Sequence, residues 1–304
     1  MSCSNPIPAV DYGYKLNKDG VRVRNIKLLD MQHKYIHYGL DELKVLFGDD
    51  LILLPCGKCY LCALDYSKMW ASRIVLESKD HQENCFITLT YDDWNLPEYP
   101  SKRHWQLFMK RFRKAVGVPV RFFACGEKGT ESGRSHMHAI IFGYDFKDKV
   151  FLKRSKSGLI IYRSPLLEQL WPFGISSIGD VSPESAAYVA KYSLKKKMSG
   201  VDNGEWVLMS RRPGLAASHF NEEDYITDKL YIEGYKYKIP RYFDKIAEKN
   251  NSFPYALTKF ERIERAKLIT SKKYMFGFNR EEEALAFTEE KKILKDCMKV
   301  RIGV

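Results

Sequence analysis

The heptapeptide Ser135-His136-Met137-His138-Ala139-Ile140-Ile141 sets two imidazoles two residues apart inside an apolar stretch. On a strand, that spacing puts both rings on one face. Downstream, Tyr188-Val-Ala-Lys191-Tyr192 sets two phenols four residues apart, which is one face of a helix. A paired-histidine metal site can polarise a phosphodiester, and a tyrosine can attack it and keep the 5′ end as a covalent ester. The two motifs together are apparatus for cutting a nucleic-acid strand.

Seven histidines in 304 residues produce a His-x-His spacing by chance in roughly one chain in six, so the pair alone is a weak signal. Glu127 strengthens it, because it falls on or just after the partner strand of the same hairpin. Two neutral imidazoles and one carboxylate hold a divalent cation, Mg2+ or Mn2+, and leave positions open for phosphate oxygens and water. A structural imidazole pair is the competing reading.

Nineteen tyrosines make about one spacing-four pair by chance, and Tyr231-Ile-Glu-Gly-Tyr235 is another. Its glycine and its lack of a helix start mark a turn. Tyr188 and Tyr192 instead follow Ser182-Pro183-Glu184, a helix start with Ser as N-cap, Pro at the first position and an early carboxylate favoured by the dipole. Lys191 is their near neighbour and favours phenolate over phenol. A phenol with an ordinary pKa of about 10 is a weak nucleophile at neutral pH, so a cation at His136, His138 and Glu127 would have to neutralise the phosphate. The products would be a 5′-phosphotyrosine and a free 3′-OH, and the retained ester energy would let a second tyrosine attack a new junction. Core packing of both phenols is the alternative.

Cys56-Gly-Lys-Cys59-Tyr-Leu-Cys62 places three thiols at knuckle-like spacing. They either hold a structural Zn2+, with Cys85, His81 or Cys3 as fourth ligand, or line a turn as reduced thiols. An odd total of seven cysteines argues against a secreted disulfide framework. Cys125 and Cys297 read as packing residues.

With 45% hydrophobic residues the chain can bury a substantial core, and its formal net charge of +12 favours a polyanionic partner. The basic residues cluster at Lys102, Arg103, Lys110, Arg111 and Lys114, then at Lys191, Lys195 and Lys196, then at Arg211 and Arg212, with Arg134 in the turn before the histidines. Solvated helix faces produce such runs as readily as nucleic-acid contacts do. No apolar stretch approaches the roughly 20 residues that cross a bilayer, and the N-terminus lacks a basic leader with an apolar core, so a cytoplasmic protein with no membrane partner is expected.

The elements that must position these residues can be read in outline. A helical pattern runs from Leu64 to about His81, and Cys85–Tyr91 is rich in β-branched and aromatic residues and reads as a strand. Ser101 caps a helix with the apolar stripe Trp105, Phe108, Met109 and Phe112 and a basic remainder. Val118–Cys125 and His136–Phe142 read as strands of a hairpin around a polar, glycine-containing turn. Residues 1–50 show no sustained periodicity, 202–250 read as turns and short mixed segments, and 256–269 and 281–298 read as helices. The expected division is an N-terminal extension over 1–55, a catalytic domain over 56–200 beginning with the cysteine cluster, and a partly helical C-terminal region over 201–304.

Phe86-Ile-Thr-Leu-Thr-Tyr91, Gly126-Glu127, Gly133-Arg134, His136-Met-His138 and Tyr188-Val-Ala-Lys191-Tyr192 resemble the three ordered motifs of HUH endonucleases. With Pro55-Cys-Gly-Lys-Cys59, Met109-Lys-Arg111 and Met209-Ser-Arg-Arg-Pro-Gly214, the chain is similar over about residues 50–215 to the microvirus replication initiators, the gokushovirus branch in particular. The resemblance implies an α+β fold, a central antiparallel sheet with packed helices, carrying N- and C-terminal extensions. It implies rolling-circle initiation on single-stranded and replicative-form viral DNA in the cytoplasm of a bacterial host. His136 and His138 would be metal ligands with Glu127, and Tyr188 and Tyr192 the nucleophiles with Lys191 beside them. No P-loop is present, so helicase and polymerase would come from the host. Two other readings stand beside this one: a non-catalytic zinc-containing nucleic-acid-binding protein, and a relaxase or transposase with the same chemistry.

Overall fold

The structure is a computed structural model, and it describes residues 3, 6–16, 18, 22–29, 37–129, 133–155, 158–198 and 204–275. The side chains of 22–23, 191–198 and 266–275 are not among those described. Two compact units result, one of Met1–Cys62 with the helix from Phe253, the other of Ala63–Ser252.

In the first unit, β1 (Ile7–Leu16), β2 (Arg22–Leu28) and β3 (Leu51–Leu54) form an antiparallel sheet of order β2-β1-β3, with α1 (Leu40–Phe47) between β2 and β3 in sequence. Val10, Leu29, Leu43 and Leu51 make its small core. This segment, expected to lack regular periodicity, is therefore folded. Only the first half of β1 is buried, so an alternating pattern never extends far enough to be read.

The second unit is built on one sheet. After α2 (Tyr60–Lys79) come β4 (Asn84–Tyr91), α3 (Lys102–Val116), β5 (Arg121–Lys128), β6 (Ser135–Phe142), β7 (Val150–Arg154), β8 (Ile160–Arg163), α4 (Pro165–Leu170), β9 (Gly174–Gly179), α5 (Pro183–Met198) and β10 (Trp206–Met209). The strands form a seven-stranded sheet of order β10-β5-β6-β4-β9-β8-β7, antiparallel throughout. The fold is α+β, a central antiparallel sheet with helices packed on it.

Both faces of the sheet are covered, and alternation decides what faces what. Ile87, Leu89, Ala124, Met137, Ala139 and Ile141 point to one side, where they meet the stripe Trp105, Phe108, Met109 and Phe112 of α3. Phe123, Cys125, Ile140 and Phe142 point to the other, against Trp70 and Ile74 of α2 and Ala186, Val189 and Ala190 of α5. Both helix starts are capped as read: Ser101 Oγ accepts from His104 N–H at 3.3 Å, and Ser182 Oγ accepts from Ser185 N–H at 3.2 Å.

Beyond β10, α6 (Asp224–Thr227) precedes a hairpin of β11 (Leu230–Ile232) and β12 (Tyr235–Tyr237), followed by α7 (Arg241–Lys249) and α8 (Phe253–Met275). The hairpin turns at Glu233 and Gly234, both at positive φ, so Tyr231 and Tyr235 do flank a turn. The nine-residue helix α7 within 202–250 departs from the expected turns and mixed segments. The α8 helix packs on β3 and contains the expected 256–269 helix. The expected helix over 281–298 and the packing role of Cys297 lie outside the described residues.

Candidate active site

The register of β5 on β6 sets Glu127 opposite His136 and Cys125 opposite His138, and on the other edge of β6 Thr90 and Thr88 face the same two histidines. Glu127, His136, His138 and Thr88 therefore share the face that carries α2 and α5. Here β5 runs on to Lys128, three residues past the strand read from the sequence, so Glu127 lies within it. Gly126 admits the neighbouring strand: a Cβ there would stand 2.5 Å from the Trp206 indole, whose Nε1–H donates to the Pro100 carbonyl at 2.7 Å.

His136 Nε2 lies 2.8 Å from Glu127 Oε1, and His138 Nε2 lies 3.5 Å from the same oxygen. One ligand atom from each of the three residues falls within 4.8 Å of the others. The Nδ1–H of His136 donates to the Arg134 carbonyl at 3.0 Å, so on the neutral ring the lone pair sits on Nε2, facing the carboxylate. Two acceptors at that distance require a shared cation, either a proton or a metal ion. His138 Nδ1 lies 3.0 Å from Thr88 Oγ1, a hydroxyl able to accept its proton and hold the ring in the matching tautomer. Burial by itself would raise the Glu127 carboxyl, but the hydrogen bonds from His136 and His138 outweigh it and hold the group well below the usual carboxylate range. The set is two imidazoles and one anionic oxygen, the donors a hard or borderline divalent cation accepts.

Helix α5 brings Tyr188 to this triad. Its half-buried ring meets His138 edge-on, centroids 5.2 Å apart at 78°, while Phe86 stacks on the other side of His138 at 5.6 Å and 13°. The imidazole is thus held between two aromatic rings. Lys191 and Tyr192 follow on the same helix, but their side chains, like those of Lys195 and Lys196, lie outside the described residues.

The other basic residues divide. Lys102, Arg103, Lys110 and Lys114 are exposed on α3, on the opposite side of the sheet from the triad. Arg111 donates from Nε and Nη2 to the Leu170 carbonyl at 3.1 and 3.0 Å, tying α3 to α4. Arg211 and Arg212 are exposed on the turn after β10, near Phe123 and thus at the far end of β5 from Glu127. That turn is held by Arg121, which donates to the Pro213 carbonyl, and by Tyr242, whose hydroxyl accepts from Gly214 N–H.

Arg134 sits at the site itself. Its guanidinium pairs with Asp93 and donates to the Tyr91 carbonyl at 2.8 Å, and the adjacent Ser135 Oγ donates to the Pro97 carbonyl at 3.1 Å. The loop after β4 is pinned beside the histidines by these contacts and by the Asp92 carboxylate, which accepts from Asn95 N–H at 2.8 Å. On it Trp94 is 95% exposed. A lone tryptophan has no spacing to read, so only its exposure draws notice.

Of the three fourth-ligand candidates for the cysteine cluster, Cys3 joins Cys56, Cys59 and Cys62, with all four sulfurs within 4.8 Å of one another. Cys85 is instead fully buried in the core under α3, and His81 lies against Glu77 on α2. Cys125 is fully buried, as a packing residue should be.

The family profile of the replication-associated protein ORF2 type matches residues 84–197. The replication-associated protein ORF2 of Spiroplasma virus 4 is 30% identical over 275 residues, covering 82% of this chain and 81% of that protein. The chain belongs to the phage replication-associated proteins. Two further members of the family, ORF4 of Chlamydia phage 1 and VP4 of Bdellovibrio phage phiMH2K, are each 33% identical, over 214 and 159 residues. The matches cover 54% and 50% of those two proteins, so the chain spans about half their length. No solved structure matches. The stretch that carries the family profile begins with β4 and ends within α5, so it contains Glu127, His136, His138, Tyr188 and Tyr192 and leaves the four cysteines outside. Among the described residues no helix is long and apolar enough to cross a membrane.

Proposed function

We propose that the protein is a rolling-circle replication initiator, a metal-dependent endonuclease and strand transferase that nicks viral DNA at its origin and rejoins it through a 5′-phosphotyrosine. The observation that carries this reading is the convergence of Glu127, His136 and His138 with the Tyr188 ring packed on His138. Membership in a family of phage replication-associated proteins supports it.

Glu127, His136 and His138 would hold Mg2+ or Mn2+, which when bound supplies a Lewis acid for a non-bridging phosphate oxygen. Arg134 and Thr88 fix the two imidazole tautomers so that both Nε2 atoms present lone pairs. The Tyr188 or Tyr192 oxygen forms a bond to phosphorus as the P–O3′ bond breaks, the phenol giving up its proton and the 3′ oxygen taking one up. Lys191 lowers the cost of phenolate on the same helix. The second tyrosine reverses the reaction at a new junction, releasing a circle. The region 56–200 is the catalytic part of this proposal, and the flanking 1–55 and 201–304 are extensions.

Trp94 on its pinned loop offers a face on which an unpaired base can stack beside the triad. The exposed Lys102, Arg103, Lys110 and Lys114, with Arg211 and Arg212, contact phosphates away from the cleavage point. Substrates are the single-stranded and replicative-form DNA of the virus in the cytoplasm of a bacterial host, with strand separation and synthesis supplied by host helicase and polymerase. The test is incubation with labelled single-stranded origin DNA and Mn2+ or Mg2+. A cleaved strand and a protein–DNA adduct on a denaturing gel, both abolished by EDTA, are expected. Tight binding without cleavage under any divalent metal would instead leave a DNA-binding protein.

A further inference from the structure

The four cysteines meet where the chain turns into α2. Gly57, between Cys56 and Cys59, sits at φ +71°, in the left-handed region that glycine enters without strain. That bend points the backbone N–H groups of Lys58 and Cys59 at Cys56 Sγ, at 3.4 and 3.2 Å. One turn on, Cys62 N–H donates to Cys59 Sγ at 3.5 Å, and Cys56 N–H donates across 53 residues to Cys3 Sγ at 3.3 Å. Backbone donors aimed at sulfur stabilise thiolate, the form that binds metal.

The sulfur separations discriminate between the ways four cysteines can associate. Cys3 Sγ and Cys59 Sγ are 3.8 Å apart. A disulfide would bring them to about 2.0 Å. Ligands about 2.3 Å from a tetrahedral zinc stand roughly 3.8 Å from one another. All four thiols are free, and their donor set is soft and closed, with no position left for water or substrate.

We propose that Cys3, Cys56, Cys59 and Cys62 bind one zinc ion as a structural site made of four thiolates, separate from the divalent-cation site at Glu127, His136 and His138. The ion ties residue 3 to the first turn of α2 and closes the loop that contains β1, β2, α1 and β3. That small sheet, with its four-residue core, is the part of the chain a metal clip would stabilise most.

The experiment uses the full chain purified without chelator. One zinc per chain is expected by elemental analysis, released as a mercurial titrates four thiols. Zinc should stay at one per chain in His136→Ala/His138→Ala and be lost in Cys59→Ser. Cys3→Ser, with three ligands left, should surrender zinc to a chelator that leaves the parent protein loaded. If the cysteine variants do not fold, the mercurial titration of the unsubstituted protein decides alone. Zinc below about a tenth of an equivalent in folded protein, iron in its place, or zinc that follows the histidines instead of the cysteines would overturn the site.

Discussion

The ring of Tyr188 stands edge-on to the ring of His138, 5.2 Å between centroids, although the two residues are fifty positions apart and belong to different elements. His138 is placed by the register of β6 between β4 and β5, and Tyr188 by the phase of a helix whose first turn is fixed at Ser182. The contact puts the first tyrosine of the pair against a residue of the candidate metal site, so the two motifs form one site.

Replacing either histidine should therefore separate cutting from binding. His136→Ala and His138→Ala are expected to lose nicking while keeping most DNA affinity, since affinity comes mainly from basic residues on phosphates. Nicking assays and binding titrations on the same preparations check this. Cleavage at the unsubstituted rate in either variant would contradict it.

Thr88 tests the orientation of a ligand without removing one. Thr88→Val deletes the hydroxyl beside His138 Nδ1 at nearly constant volume. The Mn2+ concentration that half-activates nicking should rise by about 10- to 100-fold, the usual effect of losing a partner of a metal-bound histidine. A metal titration of the nicking rate measures it, and saturating metal should restore much of the rate.

Trp94→Ala should weaken binding of the single-stranded origin by about 5- to 150-fold, the range that corresponds to the ~1–3 kcal/mol of one base–aromatic stack. The chemical step in a single turnover at saturating DNA should change little. Equal affinity of both proteins for the strand would remove this residue from the interface.

Strong periodicity and caps made the centre of the fold legible. His136 and His138 alternate with Met137 and Ala139, and this period of two carried both the strand and the shared face of the histidines. Ser101 and Ser182 marked helix starts that the structure keeps. What escaped has a physical reason in each case. Only Phe243 and Ala247 of α7 are buried, too narrow a stripe to count as periodic. Cys3 could not be chosen over Cys85 and His81, because its partners lie more than fifty residues away. The basic face of α3 was equally silent about side: its apolar stripe shows that it packs on the sheet, while which face it covers depends on how the chain crosses from β4 to β5.

That placement shapes the salt dependence. Binding of a short single strand should weaken with a log–log slope of about −0.7 per phosphate neutralised. Lys110→Glu/Lys114→Glu should leave this slope unchanged, because α3 lies across the sheet from the triad, and should flatten the slope for longer duplex origin DNA. Titrations at several salt concentrations with both ligands distinguish the cases; an equal loss of slope with the short strand would place α3 at the cleaved strand.

The most direct measurement is the identity of the residue that carries the DNA after cleavage. Origin strand incubated with the protein and Mn2+, digested and analysed by mass spectrometry, should yield a phosphotyrosine peptide spanning α5, with the nucleotide on Tyr188 or Tyr192. Tyr188→Phe and Tyr192→Phe should each still form an adduct but fail to couple cleavage to circular rejoining, and the double variant should form none. An adduct on Tyr231, Tyr235 or any residue outside 188–192, or cleavage in the double variant, would contradict the account.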